Sequence, residues 1–75
     1  MTPGQCRAAR SWLDWSILAT AQRAGISKTT LTKFERGGNI TYRSLDKIRR
    51  VFEDAGVEFR GRIHVTYRRA DDEED

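Results

Sequence analysis

Apolar positions recur at helical spacing along this 75-residue chain as far as Gly56, and beyond it they alternate one by one with polar residues. The change of period divides a helical body from a hairpin. Cys6, Ala9, Trp12 and Leu13 form the apolar stripe of a helix predicted from about Pro3 to Leu13. Thr2-Pro3-Gly4-Gln5 matches a capping box at its start, with Thr2 as N-cap, Pro3 where a missing N–H costs nothing, and Gln5 reaching back. Asp14-Trp15-Ser16 breaks the pattern, and Ser16 is a suitable N-cap for a second helix near 17–24. Ser27 caps a third at about 28–36, closed by Gly37-Gly38-Asn39, residues that accept left-handed backbone angles. Leu45, Ile48, Val51, Phe52 and Ala55 predict a fourth near 44–55, capped by Ser44 or Thr41 and stopped at Gly56. After it, Val57, Phe59, Ile63, Val65 and Tyr67 alternate with Glu58, Arg60, Arg62, His64, Thr66 and Arg68. That pattern predicts a hairpin over 57–68, with Phe59 opposite Ile63, Val57 opposite Val65, and Arg60-Gly61-Arg62 as the loop. The fold class is therefore mainly α, with four to five helices and a C-terminal β-hairpin.

The stretch from Ile17 to Arg36 carries the strongest functional signal. Two short helices that cross steeply need a small residue at the crossing, which Ala21 supplies, and a residue tolerant of positive φ in the turn, which is Gly25. Ile26, Leu31 and Phe34 then plug the second helix into the core, and Lys28, Thr29, Thr32, Lys33 and Arg36 fall on its other side. That face holds three cations and no acid. Ser27, Thr29, Thr30 and Thr32 add short hydrogen-bonding groups suited to phosphates and base edges. Lys33 can reach guanine acceptors, Thr29 or Thr32 can meet a thymine methyl, and Ser27 and Thr30 suit capping and backbone phosphates. Arg43, with Lys47 and Arg50 further along, could extend a phosphate track, against the plainer reading of a solvated helix face.

These residues resemble the helix-turn-helix of the Cro and phage-repressor family, also called XRE-like. Bacterial members of that family often open like Thr2 to Arg10, carry Trp15-Ser16 before the second helix, end the recognition helix in Phe34-Glu35-Arg36-Gly37, and close the next helix with Ala55 to Phe59. The resemblance spans roughly residues 2–60 and implies a lambda-repressor-like domain that binds double-stranded DNA. It also implies that Arg7 pairs with Glu35 and locks the first helix to the end of the recognition helix. Two positions depart from the family pattern. Ile17 stands where a Gln usually anchors the second helix to DNA, and Thr20 replaces a large aliphatic, which thins the hairpin core.

The formal charge of +3 conceals an asymmetry, since five of the eleven acids lie in the last five residues. Residues 1–70 hold fourteen cations against six anions, a surplus that attracts polyanions. Residues 1–69 are expected to form one DNA-binding domain, and 70–75 an acidic, disordered tail. No apolar run approaches the ~20 residues that span a bilayer, and no signal-type apolar stretch opens the chain, so a cytoplasmic protein without membrane association is expected. Cys6 is the single cysteine, which excludes an intrachain disulfide and leaves an intermolecular one open. One His, one Cys and scattered acids assemble neither a catalytic set nor a metal site, so neither an enzyme nor a cofactor is expected. Trp12 and Trp15 read as core residues rather than base-stacking ones, and His64 as solvated.

Three functions fit. The first is a homodimeric regulator on a palindromic operator, joined through Ile63, Val65 and Tyr67 of the final strand, whose edge a second subunit would cover. The second is a protein-binding module on the same scaffold, such as an antiactivator or antitoxin, for which the departures at Ile17 and Thr20 speak. The third is a basic domain that coats nucleic acid without reading sequence.

Overall fold

A computed structural model describes residues 1–62 and 64–67. Four helices, α1 (Pro3–Leu13), α2 (Ile17–Ala24), α3 (Lys28–Glu35) and α4 (Tyr42–Asp54), precede the antiparallel strands β1 (Val57–Arg60) and β2 (His64–Tyr67). Each helix starts at a side-chain oxygen that takes an orphan N–H. Thr2 and Gln5 form the reciprocal capping box on α1, Ser16 accepts from Ala19, Ser27 from Thr30, and Thr41 from Ser44. Thr41 rather than Ser44 is thus the cap of α4, which begins two residues before the expected start. Tyr42 and Arg43 are exposed and leave no mark in the apolar pattern.

Turns close as the residue types require. Gly25 takes φ 72° between α2 and α3, and Asp14 takes φ 57° at the end of α1. Arg36 caps α3, which ends at Glu35, and Gly37 follows at φ 89°. Gly38 serves a different purpose from the left-handed role expected of it. Its N–H donates to the Lys33 carbonyl at 2.8 Å, and a Cβ there would stand 2.6 Å from Lys33 Cγ and 2.9 Å from the Lys33 carbonyl oxygen. Gly38→Ala is therefore expected to destabilise the domain by about 1–3 kcal/mol, the usual range for forced overpacking. Chemical denaturation measures this, and a change under about 0.5 kcal/mol, the scale of an ordinary surface substitution, would show that the loop yields freely.

The core is Cys6, Ala9, Ala21, Ala24, Leu31, Phe34, Ile48, Phe52 and Val57. Thr20 is fully buried among them, and its hydroxyl donates to the Ser16 carbonyl at 2.8 Å, which satisfies the polar atom within its own helix. Trp15 stacks on Phe52 with ring centroids 5.8 Å apart, and Phe52 meets Phe59 at 6.1 Å. Trp12 is a correction to the core reading. It remains 44% exposed and stacks on Tyr67 at 6.3 Å, outside the buried cluster.

The hairpin register also differs from expectation. Val57 faces Tyr67, Phe59 faces Val65, and Arg60 faces His64, a displacement of two residues from the expected pairs. A shift of two preserves which side chains share a face, so the alternation alone could not choose between the registers. Contacts with α1 favour the observed one. Gln5 Nε2 donates to the carbonyls of Gly61 (3.0 Å) and His64 (2.7 Å), and Trp12 covers Tyr67. Gln5 and Trp12 are about 10 Å apart along a helix, and His64 and Tyr67 about 10 Å apart along a strand. Strand β2 thus runs beside α1, in the same direction, attached at both ends. Val65 and Tyr67 turn half-buried side chains onto the helices, while Glu58, Arg60, His64 and Thr66 face outward. Ile63, Arg68, Arg69 and the acidic segment through Asp75 lie outside the described residues.

Candidate nucleic-acid interface

Helix α3 divides cleanly into two sides. Leu31, Phe34 and Glu35 are buried, whereas Lys28, Thr29, Lys33 and Arg36 are exposed and Thr32 is half-buried. Lys28, Thr29, Thr32, Lys33 and Arg36, with Gly38, line one shallow open groove along the helix. All five residues expected on this face are therefore brought together. Ser27 and Thr30 stand at its N-terminal end, their hydroxyls 2.8 Å apart, with Ser27 also accepting the Thr30 N–H at 3.0 Å. Helix termini of this kind favour anions, since their first N–H groups point outward unpaired. Arg43 is exposed on the first turn of α4, outside the groove.

Among the described residues, Lys28, Lys33, Arg36 and Arg43 make no ion pair, and the surface they form carries uncompensated positive charge. Further along α4 the situation changes. Arg50 pairs with Asp46 and Arg49 with Glu53, each at 2.9 Å across one helical turn. Arg50 is thus held on its own helix, which weakens its candidacy for a phosphate track.

Glu35 points the other way, into α1. Its carboxylate receives Arg10 Nε at 2.6 Å and Arg10 Nη2 at 2.8 Å, a forked pair, and the Cys6 thiol donates to it at 3.2 Å. The expected Arg7–Glu35 pair is corrected accordingly. Arg7 Nη1 does reach Glu35, but at the main-chain carbonyl, where it caps the end of α3. Both arginines lie one turn apart on the same side of α1, and only Arg10 is level with the inward-turned carboxylate. Arg10 also donates to the Trp15 carbonyl at 3.1 Å, so one guanidinium ties α1 to the loop before α2 and to the end of α3. Burial by itself raises the Glu35 carboxyl, but the hydrogen bonds from Arg10 and Cys6, with the charges of Arg10 and Arg7, outweigh it and leave the group below the ordinary carboxylate range. Cys6 is fully buried in this cluster, which removes the intermolecular disulfide from consideration.

Sequence reasoning missed two residues that hold the scaffold and one exposed apolar residue near the interface. The pairing of Arg10 with Glu35 left no mark in the sequence pattern, and Gln5 was visible only as half of a capping box. Leu18 is 51% exposed at the start of α2, beside an Ile17 that packs against the core, and no periodic signal marked it. No described helix is long and apolar enough to cross a membrane. A family model described as helix-turn-helix matches residues 7–53, from the middle of α1 to the end of α4. No curated protein matches the chain.

Proposed function

The chain belongs to the helix-turn-helix family of the Cro and lambda-repressor type, a family of DNA-binding regulatory domains, and on that footing we propose that it is a dimeric repressor of a bacterial or mobile-element operon. The observation that carries the reading is the outer face of α3, where Lys28, Lys33 and Arg36 share a groove with Thr29 and Thr32 and no acid intrudes. Lys33, Thr29 and Thr32 read bases, with Lys28 beside them. Ser27, Thr30, Arg36 and Arg43 hold phosphates, and the α3 N-terminus reinforces them. The protein acts in the cytoplasm as a binding protein without catalysis or cofactor.

Dimerisation follows from the hairpin. Strand β2 lies at an edge of a two-stranded sheet, and those of its outward N–H and C=O groups that Gln5 does not engage invite pairing with the same strand of a second copy. Val65 and Tyr67 support that edge from beneath, by packing on the helices, and Ile63 continues their alternation in the sequence. A two-fold axis there matches a palindromic operator, with two recognition helices in successive major grooves. The exposed Leu18 beside Ile17 favours a second reading, a protein-binding module such as an antiactivator or antitoxin.

An electrophoretic shift with DNA from upstream of its own gene, against scrambled competitor, separates the readings. A shift that specific competitor alone abolishes is expected. Affinity should fall with salt at a log-log slope of about −0.9 per neutralised phosphate, so six contacts give a slope of roughly −5. A flat salt response, or no shift at all, would turn the assignment to the protein-binding alternative.

A further inference from the structure

We infer that Gln5 is a positioning residue that sets the angle between the hairpin and the DNA-reading helices, and through it the half-site spacing of the dimer. The inference rests on the hairpin-mediated dimer proposed above. Gln5 is buried, and both ends of its amide are used. Oε1 accepts the Thr2 N–H at 2.8 Å, while Nε2 donates to the Gly61 carbonyl at 3.0 Å and the His64 carbonyl at 2.7 Å. Capping α1 needs only the oxygen, and a glutamate would serve that purpose equally. The two amide hydrogens are what require glutamine, and both go to main chain of the hairpin.

The other attachments of the hairpin are apolar: Val57 of β1 is seated in the core, Phe59 meets Phe52, and Trp12 stacks on Tyr67 of β2 as a half-exposed ring. Such contacts hold surfaces together but tolerate offset and rotation. Hydrogen bonds to two fixed carbonyls are directional, so Gln5 fixes where the loop end of the hairpin sits against α1. On its other side α1 is clamped to the end of α3 through Arg10, Arg7 and Cys6 on Glu35. In a dimer joined at β2, each recognition helix therefore connects to the two-fold axis by way of Glu35, α1, Gln5 and the hairpin. Loosening Gln5 leaves each DNA-reading unit intact and releases the loop end of the hairpin and the start of β2, which widens the range of angles between the two.

The test uses Gln5→Glu in the full chain. This variant keeps the acceptor for Thr2 and sets a carboxylate oxygen against the Gly61 and His64 carbonyls. Affinity is measured for a single half-site, for the palindrome, and for the palindrome with its centre lengthened or shortened by two base pairs, with sedimentation and melting in parallel. Wild type is expected to lose on the order of tenfold to a hundredfold on respaced sites, because avidity is lost where geometry forbids double engagement. Gln5→Glu is expected to bind the single half-site as wild type does, remain dimeric, and lose no more than about threefold on respacing, the avidity gap having been levelled by a freed angle. A folded, dimeric variant with the wild-type respacing loss overturns the inference. Should Gln5→Glu fail to fold, Gln5→Met, which removes both donors and the Thr2 acceptor without adding charge, is read by the same respacing comparison, with melting to register the lost cap. A wild-type protein that is monomeric on DNA or indifferent to spacing refutes the dimer itself and the inference with it, a result distinct from an unchanged variant.

Discussion

Glu35→Ala is expected to lower the melting temperature by roughly 12–24 °C. Removing one partner of a buried ion pair costs about 3–5 kcal/mol, because the survivor is left charged and desolvated. Side-chain exposure of 6% for Glu35 and 19% for Arg10 places this pair near the lower end, about 3 kcal/mol. In a domain of this size each kcal/mol moves the midpoint by about 4–8 °C. The loss also leaves the Cys6 thiol without an acceptor and Arg7 beside an unpaired Arg10. Glu58→Ala is the matched control, since Glu58 and its partner Arg60 are both largely exposed and such pairs contribute under about 1 kcal/mol. Equal melting temperatures for the two variants would refute the clamp.

The same pair sets an acid limit. Glu35 sits below its ordinary value of 4.5 in the folded chain, so its contribution is complete above that pH and is lost as pH falls through the depressed value. Glu35→Gln, which cannot titrate, is expected to lack this part of the acid transition. Denaturation midpoints between pH 6 and pH 2 check both curves.

Lys28→Ala combined with Lys33→Ala is expected to abolish discrimination between operator and scrambled DNA while leaving the melting curve unchanged. Both side chains are exposed on the groove of α3 and neither enters the core. Loss of one good base contact costs about 1–3 kcal/mol, so removing Lys33 from the bases, together with the neighbouring charge of Lys28, is enough to erase a tenfold to hundredfold preference. Retained operator affinity in the double variant would remove α3 from the recognition role.

The parts of the fold that rest on local chemistry were legible in the chain. Thr2, Ser16 and Ser27 cap because a side-chain oxygen must meet a particular N–H, and that requirement is visible within four residues. The basic face of α3 was legible for a related reason, since Leu31 and Phe34 fix which side is buried. Thr41 was not separable from Ser44, because exposed Tyr42 and Arg43 leave the first turn of α4 without an apolar marker. The hairpin register escaped because registers two residues apart bury the same faces, and the choice depends on Gln5, far away in sequence. Arg7 and Arg10 share one side of α1, and only the inward turn of Glu35 decides between them. Trp12 shows that an apolar stripe can be wider than the core it covers.

Cys6 gives the molecule a built-in clock. It is the chain's single thiol, shut off from solvent, and burial first, then the hydrogen bond and charge of Glu35, raise it above the ordinary thiol range. Alkylating reagents attack an accessible thiolate, so Cys6 can react only in those molecules whose α1 has swung clear of Glu35. Each additional 1.4 kcal/mol or so holding α1 in place slows that reaction about tenfold. Labelling of the unmodified protein, with no dye or engineered residue, therefore counts departures of α1, and DNA that tightens the domain will make the clock run slower.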